Sequence, residues 1–188
     1  HLAIVDIVLG VADILPILGF GYLVPRNATN NSDEILGVIF DSDAVPNQSQ
    51  RLTKLTVMMG GPYWRHRSSF PNEDDVKERA LRALHSQLGL SLLTLTSHLE
   101  NIYARVMTDT IPQYLVGHPL RMAELQGAIN MHPQWRNSLS LLGYSYGGVG
   151  VNDCIANAMD TCDAICNYEQ NRSPLSDISG LQPALFPG

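Results

Sequence analysis

The chain has 188 residues, 45% of them hydrophobic and 16% charged, and 18 acidic against 12 basic side chains give a formal net charge of −6. That is enough chain for one good core or two small lobes, and it is too apolar and too mixed for a disordered segment. Tracking phosphates or anionic lipid takes a basic excess, so the balance argues against nucleic acid or a lipid surface as partner.

From His1 the sequence runs at once into Leu2-Ala3-Ile4-Val5-Asp6-Ile7-Val8-Leu9, a nearly unbroken apolar run expected for a strand covered on both faces. This start reads as the middle of a domain, with further sequence expected upstream. Asp6, Asp13 and Pro16 argue against a membrane helix in the apolar stretch up to Val24. No basic segment followed by a cleavage site marks a signal peptide. Residues 19–25 read as a short strand stopped by Pro25, 26–34 as a polar loop, and 35–40 and 52–59 as two more strands, the last ending at Gly60-Gly61-Pro62. Short polar connections between them suggest an antiparallel meander.

A helix is expected over residues 72–88. Asn72 can cap its first turn, Glu73, Asp74 and Asp75 suit the positive end of the dipole, and Gly89 supplies the stop. Val76, Ala80, Leu84 and Leu88, with Leu81 beside them, make one apolar stripe. Further along, 101–108 reads as a strand, 119–130 as a helix, 138–142 as a short strand and 149–167 as a second helix after a glycine-rich turn. Residues beyond Asn171 read as a frayed tail.

The three cysteines, Cys154, Cys162 and Cys166, are an odd count without a second ligand pair nearby, so buried free thiols are expected and a metal site is not. The histidines are scattered without metal-ligand spacing, and His118 is expected to make a structural hydrogen bond. Trp64 and Trp135 look isolated. Asn47-Gln48-Ser49 and three similar triplets match the glycosylation pattern, which loop composition produces by chance.

The stretch with chemical content is Gly143-Tyr144-Ser145-Tyr146-Gly147-Gly148-Val149-Gly150, between an expected strand and an expected helix start. As G-x-S-x-G it fits a nucleophile elbow with Ser145 as the attacking group. In that fold the acid and histidine follow the serine, whereas the last histidine here is His132. As a cofactor turn, the glycines let backbone approach a flat or charged ligand, and helix-start amides favour negative charge. Glycine turns also arise for steric reasons alone, and spacing by itself favours that structural reading.

Continued through Val151-Asn152-Asp153-Cys154-Ile155, the stretch resembles the C-terminal flavin segment of the oxygen-dependent protoporphyrinogen oxidase family, amine-oxidase-like flavoproteins. Four more segments agree with that family, in its order: Gly19-Phe20-Gly21-Tyr22-Leu23-Val24-Pro25, Leu36-Gly37-Val38-Ile39-Phe40-Asp41-Ser42, Leu55-Thr56-Val57-Met58-Met59-Gly60-Gly61, and Ile111-Pro112-Gln113-Tyr114 with Gly117-His118. The likeness runs from about Leu2 to Asn167, and its wording is nearest to eukaryotic, fungal members.

The resemblance implies a mixed α/β (α+β) fold, the C-terminal fragment of a two-domain FAD-binding protein. Residues 1–110 would be mainly antiparallel substrate-domain strands with a covering helix. Residues 111–168 would return to the flavin domain, completing it with a final strand, glycine turn and helix, and 169–188 would be a tail. It implies FAD as cofactor, with Gly148, Val149 and Gly150 against it, and Phe20, Leu23, Ile39 and Met58 lining a tetrapyrrole pocket. It assigns no catalytic acid–base residue. The implied reaction converts protoporphyrinogen IX to protoporphyrin IX with dioxygen as acceptor, at the mitochondrial inner membrane, with membrane contact through regions outside these residues; it admits a homodimer. The dinucleotide fingerprint G-x-G-x-x-G is absent from this sequence, so the 188 residues are not expected to hold FAD firmly or to be active alone. A related flavin amine oxidase, a serine hydrolase using Ser145 and a non-catalytic truncated product are the alternatives.

Overall fold

The computed structural model describes residues 1–45, 51–136 and 138–171. The chain forms two compact units that divide between Thr110 and Ile111. The first is a five-stranded sheet with helices packed on it. Its strands are β1 (Leu2–Leu9), β2 (Gly21–Leu23), β3 (Ile35–Phe40), β4 (Thr53–Gly60) and β5 (Leu99–Met107), joined by the helices α1 (Asp41–Ala44), α2 (Glu73–Leu88) and α3 (Leu92–Ser97). All pairings are antiparallel, in the order β2-β3-β4-β1-β5. The mixed α/β fold class expected from the resemblance is the one observed.

The simple meander is not. β2, β3 and β4 follow one another as a meander, but β1 pairs on the far side of β4 and takes β5 on its other edge. A long apolar strand gains most where both of its edges are paired. Nor is β1 sealed on both faces. Ala3, Val5, Ile7 and Leu9 are fully buried, whereas Leu2, Ile4, Asp6 and Val8 are only half-buried. An unbroken apolar run hides this alternation, because Ile4 and Val8 are as apolar as the residues that face the core.

The core lies between one sheet face and α2. Val76, Ala80, Ala83 and Leu84 of α2 are buried, with Leu95 of α3, against Val5, Ile7, Val38, Phe40, Leu55 and Val57. Val106 of β5 also packs against this cluster. The end signals of α2 work as the sequence suggests. Asn72 Oδ1 accepts the Asp75 N–H at 2.9 Å and Asp75 Oδ2 accepts the Asn72 N–H at 3.2 Å, a reciprocal cap. Gly89 ends the helix at φ 72°.

β3 holds the device that assigns residues to faces. Ile35 pairs with Met59 but Gly37 pairs with Met58, so Leu36 is an extra residue and the strand changes parity there. Ile35 on one side of the bulge and Val38 and Phe40 on the other therefore all face the core, while Ile39 is turned outward. The bulge is fastened from several directions. The side chain of Asn31 accepts the Ile35 N–H at 2.9 Å and donates to its carbonyl at 2.8 Å, and the Leu36 carbonyl takes the Val24 N–H at 2.9 Å.

Just before the bulge, Glu34 adopts φ 61°, a conformation non-glycine residues enter only when their surroundings compel it. Its carbonyl accepts the Gly60 N–H at 2.9 Å. Its carboxylate takes the Trp64 indole N–H at 2.9 Å, an Arg79 N–H at 3.0 Å and two donors from Arg67. Trp64, which looks isolated in the sequence, is thus fully buried with its one polar atom satisfied. Gly60 is required beside it, since a Cβ there would lie 2.6 Å from the indole ring.

In the second unit, α4 (His118–Met131) and α5 (Val151–Asn171) are the regular elements. Residues 138–142 form no strand. Leu139 and Leu142 are exposed, and no described strand lies in this unit to supply a ladder. The cysteines are free as expected, but Cys162 and Cys166 are exposed and only Cys154 is half-buried. The first two fall on the uncovered stripe of α5 with Val151, Ile155 and Met159. Asn47-Gln48-Ser49 and the expected tail lie outside the described residues. Among the described residues no helix is long and apolar enough to cross a membrane.

Two consequences are measurable. Glu34→Ala leaves a buried indole N–H and two guanidinium groups without their acceptor, so it should cost about 3 kcal/mol in denaturant unfolding. Arg82→Ala, which breaks the more exposed Asp33–Arg82 pair of 2.8 Å, should cost less than about 1 kcal/mol. Tyr22 donates to Gln87 Oε1 at 2.8 Å, and burial pushes its phenol from 10.0 up to about 12. Its protonated form is thereby favoured in the folded state, so its contribution is fully present below pH 10 and is lost between pH 10 and 12, where only the unfolded chain has ionised. Tyr22→Phe should flatten the fall of the unfolding midpoint over that window.

Candidate functional site

Two surfaces carry the residues that the sequence singles out, one in each unit. The first is the sheet face opposite α2. Cross-strand partners share a face, and the register gives one row Leu23–Gly37–Met58–Ile4 and the next Gly21–Ile39–Thr56–Asp6. Leu23, Ile39 and Met58 therefore lie on one surface, together with Ile4, Thr56 and Asp6. Leu23 is 81% exposed and Ile39 and Met58 are half-buried. Phe20 precedes β2 and is 70% exposed, its carbonyl accepting the Phe40 N–H at 2.9 Å.

Glycine is needed at two points where strands crowd. A Cβ at Gly21 would meet the Val38 carbonyl oxygen at 2.1 Å, and one at Gly37 would meet the Tyr22 carbonyl oxygen at 2.6 Å. The resulting surface has apolar residues around a polar centre, and the register continues its rows into Arg105 beside Ile4 and Tyr103 beside Asp6 on β5. The Thr56 hydroxyl oxygen lies 2.8 Å from Asp6 Oδ1 and 2.8 Å from Asp41 Oδ2. Asp6, Asp41, Thr56 and Ile4 were not among the residues picked from the sequence. The available signal was period two, since Ile4 and Asp6 alternate in β1 as Thr56 and Met58 do in β4.

The second surface is the glycine turn before α5. It is built around Tyr114. The Tyr114 hydroxyl accepts the Gly148 N–H at 2.8 Å and donates to the Tyr144 carbonyl at 2.7 Å. Its ring meets the His118 ring edge-on, with centroids 4.0 Å apart. His118 is 8% exposed and its Nε2 lies 3.1 Å from the Ser145 carbonyl oxygen, the structural role expected for it. Asn157 of α5 donates to the Gly147 carbonyl at 2.9 Å, and Asp153 Oδ2 accepts the Gly150 N–H at 3.1 Å.

Gly148, Val149 and Gly150 thus stand together at the mouth of a 21-residue helix. Two of their three amides are already held, by Tyr114 and by Asp153, so what this turn offers a flat ligand is bare backbone rather than free donors. Gly148 has φ 133°, and a Cβ on it would lie 2.6 Å from Asp153 Cβ; local packing alone requires glycine here. Val149 is 49% exposed and Val151 76%, an apolar rim beside the bare backbone. The turn thus presents an exposed valine side chain beside main chain free of Cβ atoms.

The nucleophile elbow has no support in this geometry. Residues 143–146 close a turn by the Tyr146 N–H donating to the Gly143 carbonyl at 3.0 Å, and the ring of His118 addresses the main chain of Ser145 rather than its hydroxyl. A polar groove of about 460 Å³ beside the start of α2 is likewise no candidate. Arg67 and Arg79, which line it, are engaged by Glu34, and its Asp75 is engaged in the helix cap. Among the described residues no group of three or more His, Cys, Asp or Glu is arranged to hold a metal ion.

No protein-family model matches the chain. Among curated proteins it is similar to protoporphyrinogen oxidases: 35% identical to that of Schizosaccharomyces pombe over 86% of this chain, and 33% and 32% identical to those of Bos taurus and Homo sapiens over 84%. The chain spans about a third of the length of these relatives (31% and 32%). Its fold is similar to part of a solved structure from Exiguobacterium sp. 255-15, described provisionally as a protoporphyrinogen oxidase. The TM-score is 0.65 at 23% identity, covering 87% of this chain and 34% of that one. The resemblance read from the five ordered segments is thereby borne out.

The turn's dependence on Tyr114 can be measured directly. Tyr114→Phe removes one acceptor and one donor, so the Gly148 amide should exchange with solvent at least about tenfold faster, and the second unit should lose about 1 to 2 kcal/mol. Exchange followed by NMR gives both; an unchanged Gly148 rate would mean the hydroxyl does not hold the turn.

Proposed function

We propose that this chain is the C-terminal portion of an oxygen-dependent protoporphyrinogen oxidase, which converts protoporphyrinogen IX to protoporphyrin IX in haem biosynthesis. The observation that carries this reading is the similarity to proteins of that name along at least 84% of the chain. The apolar sheet face supports it. A large, flat, mostly hydrocarbon substrate asks for apolar walls with few polar groups; Leu23, Ile39 and Met58 share this face, and Phe20 is exposed just before β2.

In this reading FAD is held in part by Val149 and the bare main chain of Gly148 and Gly150. FAD, when bound, supplies the hydride acceptor and passes the electrons on to dioxygen. The chain's own residues orient and bury the reactants, and orientation is what a hydride transfer chiefly needs from a protein. That accords with a sequence in which no catalytic acid–base pair stands out. By the same family likeness the protein would act at the mitochondrial inner membrane, touching it through regions outside these residues, and would be able to form a homodimer.

The test uses the full-length protein that carries this sequence, purified with its flavin. Protoporphyrinogen IX in air should yield porphyrin fluorescence with consumption of dioxygen. Met58→Asp and Ile39→Asp, which set a charge on the apolar wall, should each lower kcat/KM at least about tenfold. Oxidation of a primary amine and not of the porphyrinogen would replace this reading with that of a flavin amine oxidase.

A further inference from the structure

We propose that Tyr114 and His118 are positioning residues for the flavin: together they fix where the Gly148–Gly150 main chain stands, and the affinity and seating of FAD depend on them. This rests on the reading above, in which that turn and Val149 meet the cofactor. It goes further by naming two residues that act on the flavin only through the turn.

Two groups of side chains hold the turn, and they fasten it to different things. Asp153 and Asn157 belong to α5 and bond Gly150 and Gly147, only 3 and 10 residues before them. Bonds of that local kind give the turn its shape and travel with the helix start. Tyr114 and His118 lie 27 to 34 residues from their partners. The Tyr114 hydroxyl bridges the Gly148 N–H at 2.8 Å and the Tyr144 carbonyl at 2.7 Å, and His118 reaches the Ser145 carbonyl between them at 3.1 Å. This second group ties the turn to the beginning of α4.

The pair is well anchored for that task. His118 opens α4 behind Gly117, which takes φ 88°, and its own N–H donates to the Leu115 carbonyl at 2.9 Å. The edge-on contact of the two rings sets each against the other. A carbonyl oxygen only accepts, so His118 Nε2 carries the hydrogen toward Ser145. The turn's shape is already supplied by Asp153 and Asn157, so what Tyr114 and His118 add is a fixed place relative to α4. Place matters here because the Gly148 and Gly150 amides are taken, and surface contact is what remains for a cofactor. A gap of about 0.5 to 1 Å forfeits roughly a quarter to a half of such a contact.

The experiment uses the full-length protein that carries this sequence, stripped of flavin and titrated with FAD. Quenching of flavin fluorescence gives the dissociation constant, and visible circular dichroism of the bound flavin reports how it is seated. Hydrogen exchange read by mass spectrometry shows whether α4 and α5 stay folded. Tyr114→Phe keeps the ring and removes the hydroxyl, and His118→Leu keeps the bulk and removes the donor. Each should weaken FAD binding about tenfold and alter the dichroism, with α4 and α5 still protected. His118→Gln, whose amide N–H replaces the Nε2 donor, should restore the dichroism and bind FAD within about threefold of the wild type. Unchanged affinity and dichroism in Tyr114→Phe and His118→Leu would overturn this inference and leave the flavin reading standing. So would a His118→Gln protein no better than His118→Leu. Collapse of protection throughout α5 in either variant would also overturn it, because the pair would then hold the unit together rather than place the turn. A wild-type protein that takes up no FAD would overturn the flavin reading and this inference with it.

Discussion

Glu34 is the residue on which the first unit turns. Forced into a left-handed conformation, it directs its carboxylate to Trp64, Arg67 and Arg79 and its carbonyl to Gly60. It thereby clamps the start of β3 to the end of β4 and to α2. Two residues later the strand changes parity at Leu36. Without that change Ile35 and Ile39 would share a face, one of them wasted on solvent or the other lost to the core. The clamp and the bulge together make a sheet with two different sides: one packed beneath α2, the other open, with Leu23, Ile39 and Met58 on it beside the polar Thr56 and Asp6.

The second unit is organised on another plan. Its described core is slight, with His118, Ile129 and Thr161 the buried residues, and its order comes largely from hydrogen bonds onto one turn. Tyr114, Asp153 and Asn157 each hold a different point of the Gly147–Gly150 backbone. Satisfying the turn's amides internally fixes its shape through the chain's own contacts. It also changes the part these glycines can play, since they offer clearance rather than donors. Exposed apolar residues along α5 and in the segment before α4, Val116 among them, are what a portion of a larger fold would present, in keeping with a chain that spans about a third of its relatives' length.

The sequence alone determined the features that rest on local chemistry. The Asn72 cap, the acidic first turn and the Gly89 stop bound α2 to the residue, because capping depends on groups three or four positions apart. The strands β1, β3 and β4 were legible from apolar runs between turn residues, and the five ordered segments were enough for the family likeness. Only the tertiary structure decided which side each strand residue faces, that β1 lies between β4 and β5, that Trp64 is a buried core residue tied to Glu34, that Cys162 and Cys166 are exposed, and that residues 138–142 are no strand. Those outcomes depend on register, on pairing and on contacts between residues such as Glu34 and Arg79, or Tyr114 and Gly148, that are far apart in the chain. A run of apolar letters has no period of its own, so it cannot state its partner or its face; both are set when the strands meet.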